Sequence, residues 1–193
     1  MSIRVLLGGL VLAVALPAAA QETYVLDPAH SRPTFEVHHL GYSTQFGMFE
    51  KVAGKVSVDR AAKKGSVDIT IDAASVRTFD ARLDGAVKGE KFFNVEKFPT
   101  IAFKSASLHF DGDRLVAVDG ELTMLGVTKP LTLKVVAFKC GEQPFNKKAM
   151  CGGDATGTLK RSEWGMTTGV TSLTPGDEVT LRVPFEAYRQ DAG

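Results

Sequence analysis

Apolar and polar residues alternate at period two over most of this chain. That is the pattern of β-strands with one buried face. Thr23 to Asp27 reads as a short strand ended by Asp27-Pro28. Thr34 to Leu40 puts Phe35, Val37 and His39 on one face, with Glu36 and His38 on the other. Val52, Gly54, Val56 and Val58 oppose Lys51, Lys55, Ser57 and Asp59. Val67, Ile69, Ile71 and Ala73 oppose Ser66, Asp68, Thr70 and Asp72. Thr100 to Phe110 is a further strand, and Asp111-Gly112-Asp113 is a tight-turn signal. Three inward rows follow: Val116, Val118, Gly120, Leu122 and Met124; then Leu131, Leu133, Val135 and Ala137; then Ala155, Gly157 and Leu159. The last strand turns Val179, Leu181, Val183 and Phe185 inward, opposite Glu178, Thr180, Arg182 and Glu186.

One stretch breaks the alternation. Asp80 to Lys91 is polar and rich in helix formers, and Glu90 to Phe103 carries Phe92, Phe93, Phe98 and Phe103. Pro99 bars the helix from continuing into the next strand. The pattern predicts a helix within Asp80 to Phe93 that caps one end of the fold and turns Phe92 or Phe93 inward. The fold class is all-β: an eight-stranded antiparallel barrel with one short helical insertion. A two-sheet sandwich has the same pattern. Eight strands enclose an interior that can just hold one small ligand. Gly54, Ala73, Gly120, Ala137 and Gly157 are small for inward positions. They either leave room for something or let the strands bend.

The first twenty residues read differently. Arg4, the apolar run Val5 to Leu16, Pro17 and Ala18-Ala19-Ala20 form an export signal, with cleavage expected before Gln21. The apolar run is short for a membrane span. Residues 21–193 then form one domain, placed in the periplasm. Without Arg4 the 23 basic residues become 22, equal to the 22 acidic ones. A neutral chain lacks the basic face that nucleic acid needs. Cys140 and Cys151 flank a Gly-, Pro- and Asn-containing segment, Gly141 to Met150, that reads as a loop. In an oxidising compartment they pair as a disulfide. Metal binding would need further ligands, and that loop offers none.

Six short motifs, in order and spaced across nearly all of residues 21–193, carry a resemblance. They are Asp27-Pro-Ala-His30-Ser31, His39-Leu40, Gly47-Met-Phe49, Phe92-Phe93-Asn-Val-Glu-Lys-Phe98-Pro99, Gly126-Val-Thr-Lys-Pro130 and Arg161-Ser-Glu-Trp-Gly165-Met166. Together they resemble the YceI-like family. The resemblance implies a lipocalin-like barrel with an elongated apolar cavity. It also implies binding of long-chain amphiphiles, chiefly polyisoprenoids such as the tail of a quinone. A homodimer and a quinone-using membrane cytochrome are the protein partners it suggests. The chain departs from the family pattern at Ala86 and Leu125, where His is frequent, and at Lys160, where Asn is frequent.

The candidate chemistry is sparse. Asp27, His30 and Ser31 are the residue types of a hydrolytic triad, but adjacency in sequence is not geometry, and no Gly-x-Ser-x-Gly elbow is present. The simpler reading is an Asp-Pro turn with hydrogen-bonded neighbours. His38 and His39 point to opposite faces and cannot hold one metal ion. His39, on the inward face, is either a core histidine or a contact to a ligand head group. Arg161 shares the parity of Leu159 and, if inward, needs a carboxylate or carbonyl partner. Trp164 either lines the cavity or plugs a barrel end.

The expected function is therefore an exported binding protein holding an isoprenoid or fatty chain as carrier or store, with no catalytic residue, no metal and no cofactor beyond a bound isoprenoid lipid or quinone. The expected wall comprises Phe35, Val37, His39, Val56, Ile69, Ile71, Phe92, Phe93, Phe103, Val118, Leu122, Leu133, Trp164 and Val183. The alternatives are an enzyme acting on such a lipid through His30, Ser31 or His39, and a stress-related structural protein whose side chains fill the interior.

Overall fold

The structure, a computed structural model, describes residues 21–59 and 61–190. The export signal expected over residues 1–20 lies outside the described residues. Eleven strand segments run in chain order as β1 (Glu22–Leu26), β2 (Thr34–His39), β3 (Ser43–Phe49), β4 (Val52–Asp59), β5 (Lys64–Asp72), β6 (Val76–Arg77), β7 (Thr100–Asp111), β8 (Arg114–Met124), β9 (Val127–Glu142), β10 (Ala149–Lys160) and β11 (Glu178–Arg189). One α-helix, α1 (Ala81–Lys88), lies between β6 and β7.

All pairings are antiparallel. The ring β1-β4-β5-β7-β8-β9-β10-β11 closes through β1 and β11, giving an eight-stranded barrel rather than a sandwich. β11 pairs with β2 over Val179–Arg182 and with β1 over Ala187–Arg189. β1 and β2 thus lie end to end along β11. β3 and β4 return beside them as the other arm of one long, broken hairpin.

The inward rows follow the alternation wherever the strands are regular. Three β-bulges shift them, because an extra residue on one strand reverses which face the following residues point to. On β9, Val135 pairs with Ala155 and Ala137 with Asp154, so Val136 is the extra residue. It is exposed, and the inward row passes from Leu131, Leu133 and Val135 to Phe138 and Cys140. Ala137, expected inside, is exposed. On β8, Val116 is the extra residue and Leu115 takes the inward place expected for it. On β7 the extra residue is Ala106, which hands the inward row from Phe103 to Leu108 and Phe110. Ala73 is buried as expected, but in a 3-10 turn beyond the end of β5.

The small inward residues answer the question the pattern left open. Side chains from neighbouring strands lie over them. A Cβ on Gly120 would fall 2.5 Å from the Phe103 ring, and one on Gly54 would fall 2.7 Å from the Ile69 side chain. The glycines therefore neither enlarge the cavity nor act only as bends. They let large partners lie flat against the wall.

The helix covers Ala81–Lys88, and the turns of residues 89–98 follow it. Asp80 caps it by accepting from the backbone N–H groups of Arg82 and Leu83. Buried Asp84 accepts from the Thr78 N–H and hydroxyl and from Arg77, which ties the helix to β6. Those bonds hold the Asp84 carboxyl below its ordinary pKa, the Thr78 N–H contributing most. The turns after α1 deliver Phe93 against Phe35 and Phe49, with ring centroids 6.1 and 5.4 Å away. Phe98 crosses to the β8–β9 turn and covers Gly126.

Candidate functional site

The barrel encloses one elongated cavity of about 260 Å³. On β11 its wall runs from Val179 to Ala187. Eight residue steps at about 3.3 Å each make roughly 26 Å of strand. The wall is apolar almost throughout. Only Tyr24, Ser31, Thr34 and Arg161 among its residues carry a side-chain N–H or O–H. The Tyr24 hydroxyl donates to Glu22 at 2.9 Å, and the Thr34 hydroxyl donates to the Arg182 carbonyl.

Ser31 and Arg161 are buried, and both are consumed by the backbone. Ser31 sits in the break between β1 and β2. Its Oγ donates to the Glu186 carbonyl and accepts from the Glu186 N–H, each at 3.0 Å. One hydroxyl thus replaces the ladder bonds that the interrupted strand cannot supply. The His30 Nδ1 meets the Asp27 carboxylate at 2.7 Å on the exposed side. Ser31 donates to backbone rather than to His30, so these three residues form no nucleophile–base pair. Asp27, His30 and Glu186 lie close enough for their ligand atoms to approach one ion, but the His30–Asp27 hydrogen bond, the His30–Glu186 ion contact and the Asp27–Glu186 backbone bond already account for that closeness.

Arg161 closes the far end of the cavity. Its guanidinium donates to the carbonyls of Gly176, Met166, Thr168 and Pro175, at 2.6–2.8 Å. Burial pushes its pKa down, and the Asp177 carboxylate works against that. The carbonyl partner that the sequence left unnamed is thus a whole turn of backbone. The rest of the Arg161-Ser-Glu-Trp-Gly165 motif serves the same closure. Ser162 bonds Asp177 through both its N–H and its hydroxyl. Trp164 is buried and donates its indole N–H to the Leu122 carbonyl at 3.1 Å. Gly165 takes the left-handed conformation, at φ 85°, that ends the 3-10 turn.

Of the fourteen expected wall residues, Phe35, Val37, Val56, Ile69, Ile71, Phe92, Phe93, Phe103, Val118, Leu122, Leu133 and Val183 line this cavity. His39 and Trp164 do not. β2 pairs with β11 only as far as Val37, so His39 lies past the rim. Trp164 packs in the core as an end plug, held by its bond to Leu122. Sequence reasoning missed Phe110 and Phe138, which reach the wall only because bulges reverse the parity of β7 and β9. It also missed Tyr24, which the period-two pattern of β1 could have found. Cys140 and Cys151 are paired directly across β9 and β10 and form a disulfide, with Cys151 on the cavity wall. The strands reach Glu142 and resume at Ala149, so the loop between them is shorter than expected.

The comparisons with known proteins agree with this geometry. A YceI-like domain matches residues 24–187. The proteins named YceI from Salmonella arizonae and Salmonella enteritidis are each 33% identical over 186 residues, covering 95% of this chain and 95% of theirs. Among solved structures, BcnA of Burkholderia cenocepacia superposes with a TM-score of 0.71 at 26% identity, over 84% of this chain and 99% of that one. The YceI protein of Campylobacter jejuni gives 0.67 at 26% identity, over 79% and 90%. A polyisoprenoid binding domain from Saccharophagus degradans, implicated in plant cell wall breakdown, shares the fold at a TM-score of 0.64 and 16% identity, over 86% and 98%. The chain belongs to the YceI-like family.

Proposed function

We propose that this protein carries or stores one long-chain amphiphile, a polyisoprenoid such as the tail of a quinone, with the chain lying inside the barrel. The observation that carries the reading is the wall itself: long, apolar, and with its four polar side chains already bonded. Such a wall recognises hydrocarbon and asks nothing of a head group. Each methylene taken from water contributes about 0.8 kcal/mol before ordering costs, so a long chain binds without a strong polar contact. The ligand named for the Saccharophagus degradans domain supports this choice of class.

The reading includes export to the periplasm, supported by the leader pattern of residues 1–20 and by the Cys140–Cys151 disulfide. It is a binder's role rather than an enzyme's, because Ser31 gives its proton to the backbone. A homodimer and a quinone-using membrane cytochrome are the partners that fit such a carrier.

The test is solvent extraction of the purified protein followed by mass spectrometry, on wild type and Val118→Trp. Val118 is a buried wall residue near the middle of β8. Wild type should release a prenyl or fatty chain, while the variant should fold and release none. A wild type that neither carries nor takes up such a lipid, with a variant destabilised by about 1–3 kcal/mol as an overpacked core would be, overturns the carrier.

A further inference from the structure

The barrel's two ends expose different chemistry. Nine large hydrophobic side chains are exposed among the described residues, and Leu40, Tyr42, Phe46, Phe79, Leu83 and Leu173 all belong to one end. Hydrogen bonds tie their segments together. The Leu40 N–H donates to the Leu173 carbonyl at 2.7 Å, and the Gly176 N–H donates to the His38 carbonyl at 2.8 Å. β6 runs along β3, pairing Arg77 with Met48, and leads through Phe79 into α1. The same three segments close the cavity here through Phe35 and Val37, through Val87, Phe92 and Phe93, and through Met166 and Pro175. On α1, exposed Leu83 and cavity-lining Val87 are one turn apart.

Charge separates the ends too, over two of these three segments. Residues 40–49 and 165–176 contain no Asp, Glu, Lys or Arg. The hairpin turns at the other end carry Asp59, Lys63 and Lys64, then Asp111, Asp113 and Arg114, then Glu142, Lys147 and Lys148. Within the rim, Asp80 and Arg82 pair with each other between Phe79 and Leu83, and Arg77 pairs with Glu50 and Asp84; beside it Lys88, Lys91 and Lys97 alternate with Glu90 and Glu96, so that flank is nearly neutral. Tyr42 and Phe79 are 92% and 81% exposed, so neither contributes much to folding.

We infer that this end docks on the surface of a lipid bilayer. The inference rests on the carrier reading and adds where the cargo crosses. A face whose two loop segments carry no charge, and whose helical segment pairs its charges, suits the apolar boundary of a bilayer, where a lone Lys, Arg or Asp is costly. Exposed aromatics suit the headgroup boundary, where Tyr gathers. A chain that dissolves in membranes then passes between bilayer and barrel through apolar surface alone. The near-neutral flank makes the attachment apolar rather than electrostatic, so it holds on zwitterionic lipid and at high salt.

The test is flotation of the purified chain beginning at Gln21, without the apolar leader, with phosphatidylcholine vesicles. Wild type should float at low and at high salt. Tyr42→Asp combined with Phe79→Asp should lower the vesicle-bound fraction by about tenfold or more, since each buried aromatic contributes strongly to partition. Phe145→Asp, at a 91% exposed position on the charged end, should leave flotation unchanged. Melting curves establish that each variant folds. The docking face is overturned if wild type does not float, if salt releases it, or if Phe145→Asp loses as much as the double variant. It is also overturned if the double variant instead splits a dimer that never floats, which would make the rim an interface between copies. Solvent extraction of the same samples separates the two readings. A lipid-loaded protein that does not float sinks docking and keeps the carrier, while an empty protein that floats does the reverse.

Discussion

The barrel is shut at its two ends by different means. At the hairpin end, β9 and β10 run on in register and the Cys140–Cys151 disulfide ties them across the ladder. The ladder there continues to Glu142 and Ala149, and the covalent bond narrows the unfolded ensemble. At the other end the chain leaves the ladder at Lys160 and returns at Glu178. Between those points the backbone is irregular and partly buried, so its carbonyls need donors that no neighbouring strand provides. Arg161 supplies them, and one side chain satisfies four carbonyls. Regular strands run on to one end; at the other, a buried cation holds the irregular loop that closes the cavity together with α1 and the Phe93 cluster.

Removing that cation should have the largest effect of any single change. Arg161→Met fills similar space but leaves four carbonyls without their donor. Each unsatisfied buried group costs about 1–3 kcal/mol, part of which entering water recovers, so a loss on the order of 3–5 kcal/mol is expected in urea unfolding. Arg161→Lys should recover only part, because an ammonium cannot reproduce the guanidinium fork. An Arg161→Met protein as stable as wild type would show that the loop holds itself. The disulfide comes next: replacing both cysteines by alanine closes no loop in the unfolded chain and should cost about 2–3 kcal/mol. The comparison fails if that loss exceeds the one at Arg161.

This contrast also marks what could be read from residues alone. The barrel, its inward rows and the helix after Asp80 follow from period and composition, because each regular strand carries its own alternation. The bulges at Ala106, Val116 and Val136 do not, since none of the three is a glycine or otherwise marked. A register slip is decided by the partner strand, which sequence does not display. The wall of the cavity was legible up to those bulges and lost beyond them, at Phe138 and Leu115. The motifs were visible but their purpose was not. Arg161 and Ser31 read as candidate chemistry or as a turn, and Trp164 as either wall or end plug, whereas in the fold Ser31 splices the barrel and Arg161 and Trp164 close it. Their partners lie far away along the chain, Trp164 on Leu122 and Ser31 on Glu186.

Gly47, paired with Phe35 on the side of the barrel toward the Arg161 loop, offers a smaller perturbation. A Cβ there would lie 2.1 Å from the tip of the Phe35 ring, which is itself held against Phe49 and Phe93. Gly47→Ala must push that ring, and the yielding side is the cavity. The expected cost is about 1–2 kcal/mol in melting experiments, near the lower range for overpacking. Extraction should show less bound lipid. Unchanged stability together with unchanged lipid would mean the aromatic cluster relaxes away from the wall.

The smallest effect belongs to the splice between the two ends. His30 is held above its ordinary pKa of 6.5, first by its hydrogen bond to Asp27, then by the charges of Asp27 and Glu186, against a small opposing push from Arg32. Asp27 is held below its ordinary value of 3.8, chiefly by the same bond and then by the Ala29 N–H. A raised histidine stabilises the fold fully below 6.5 and loses that contribution as pH rises through its folded pKa. A lowered aspartate contributes fully above 3.8 and loses its share as pH falls through its folded value. The pair therefore acts at full strength only between those two ordinary values. His30 is exposed and solvent screens the interaction, so the effect is small. His30→Gln keeps a polar side chain but removes the titration. The gap in melting temperature between wild type and His30→Gln should be widest near about pH 5.5 and narrow by about pH 8.5. A gap that widens toward high pH would reverse the sign and show that neutral His30, not the ion pair, supports the junction of β1 and β2.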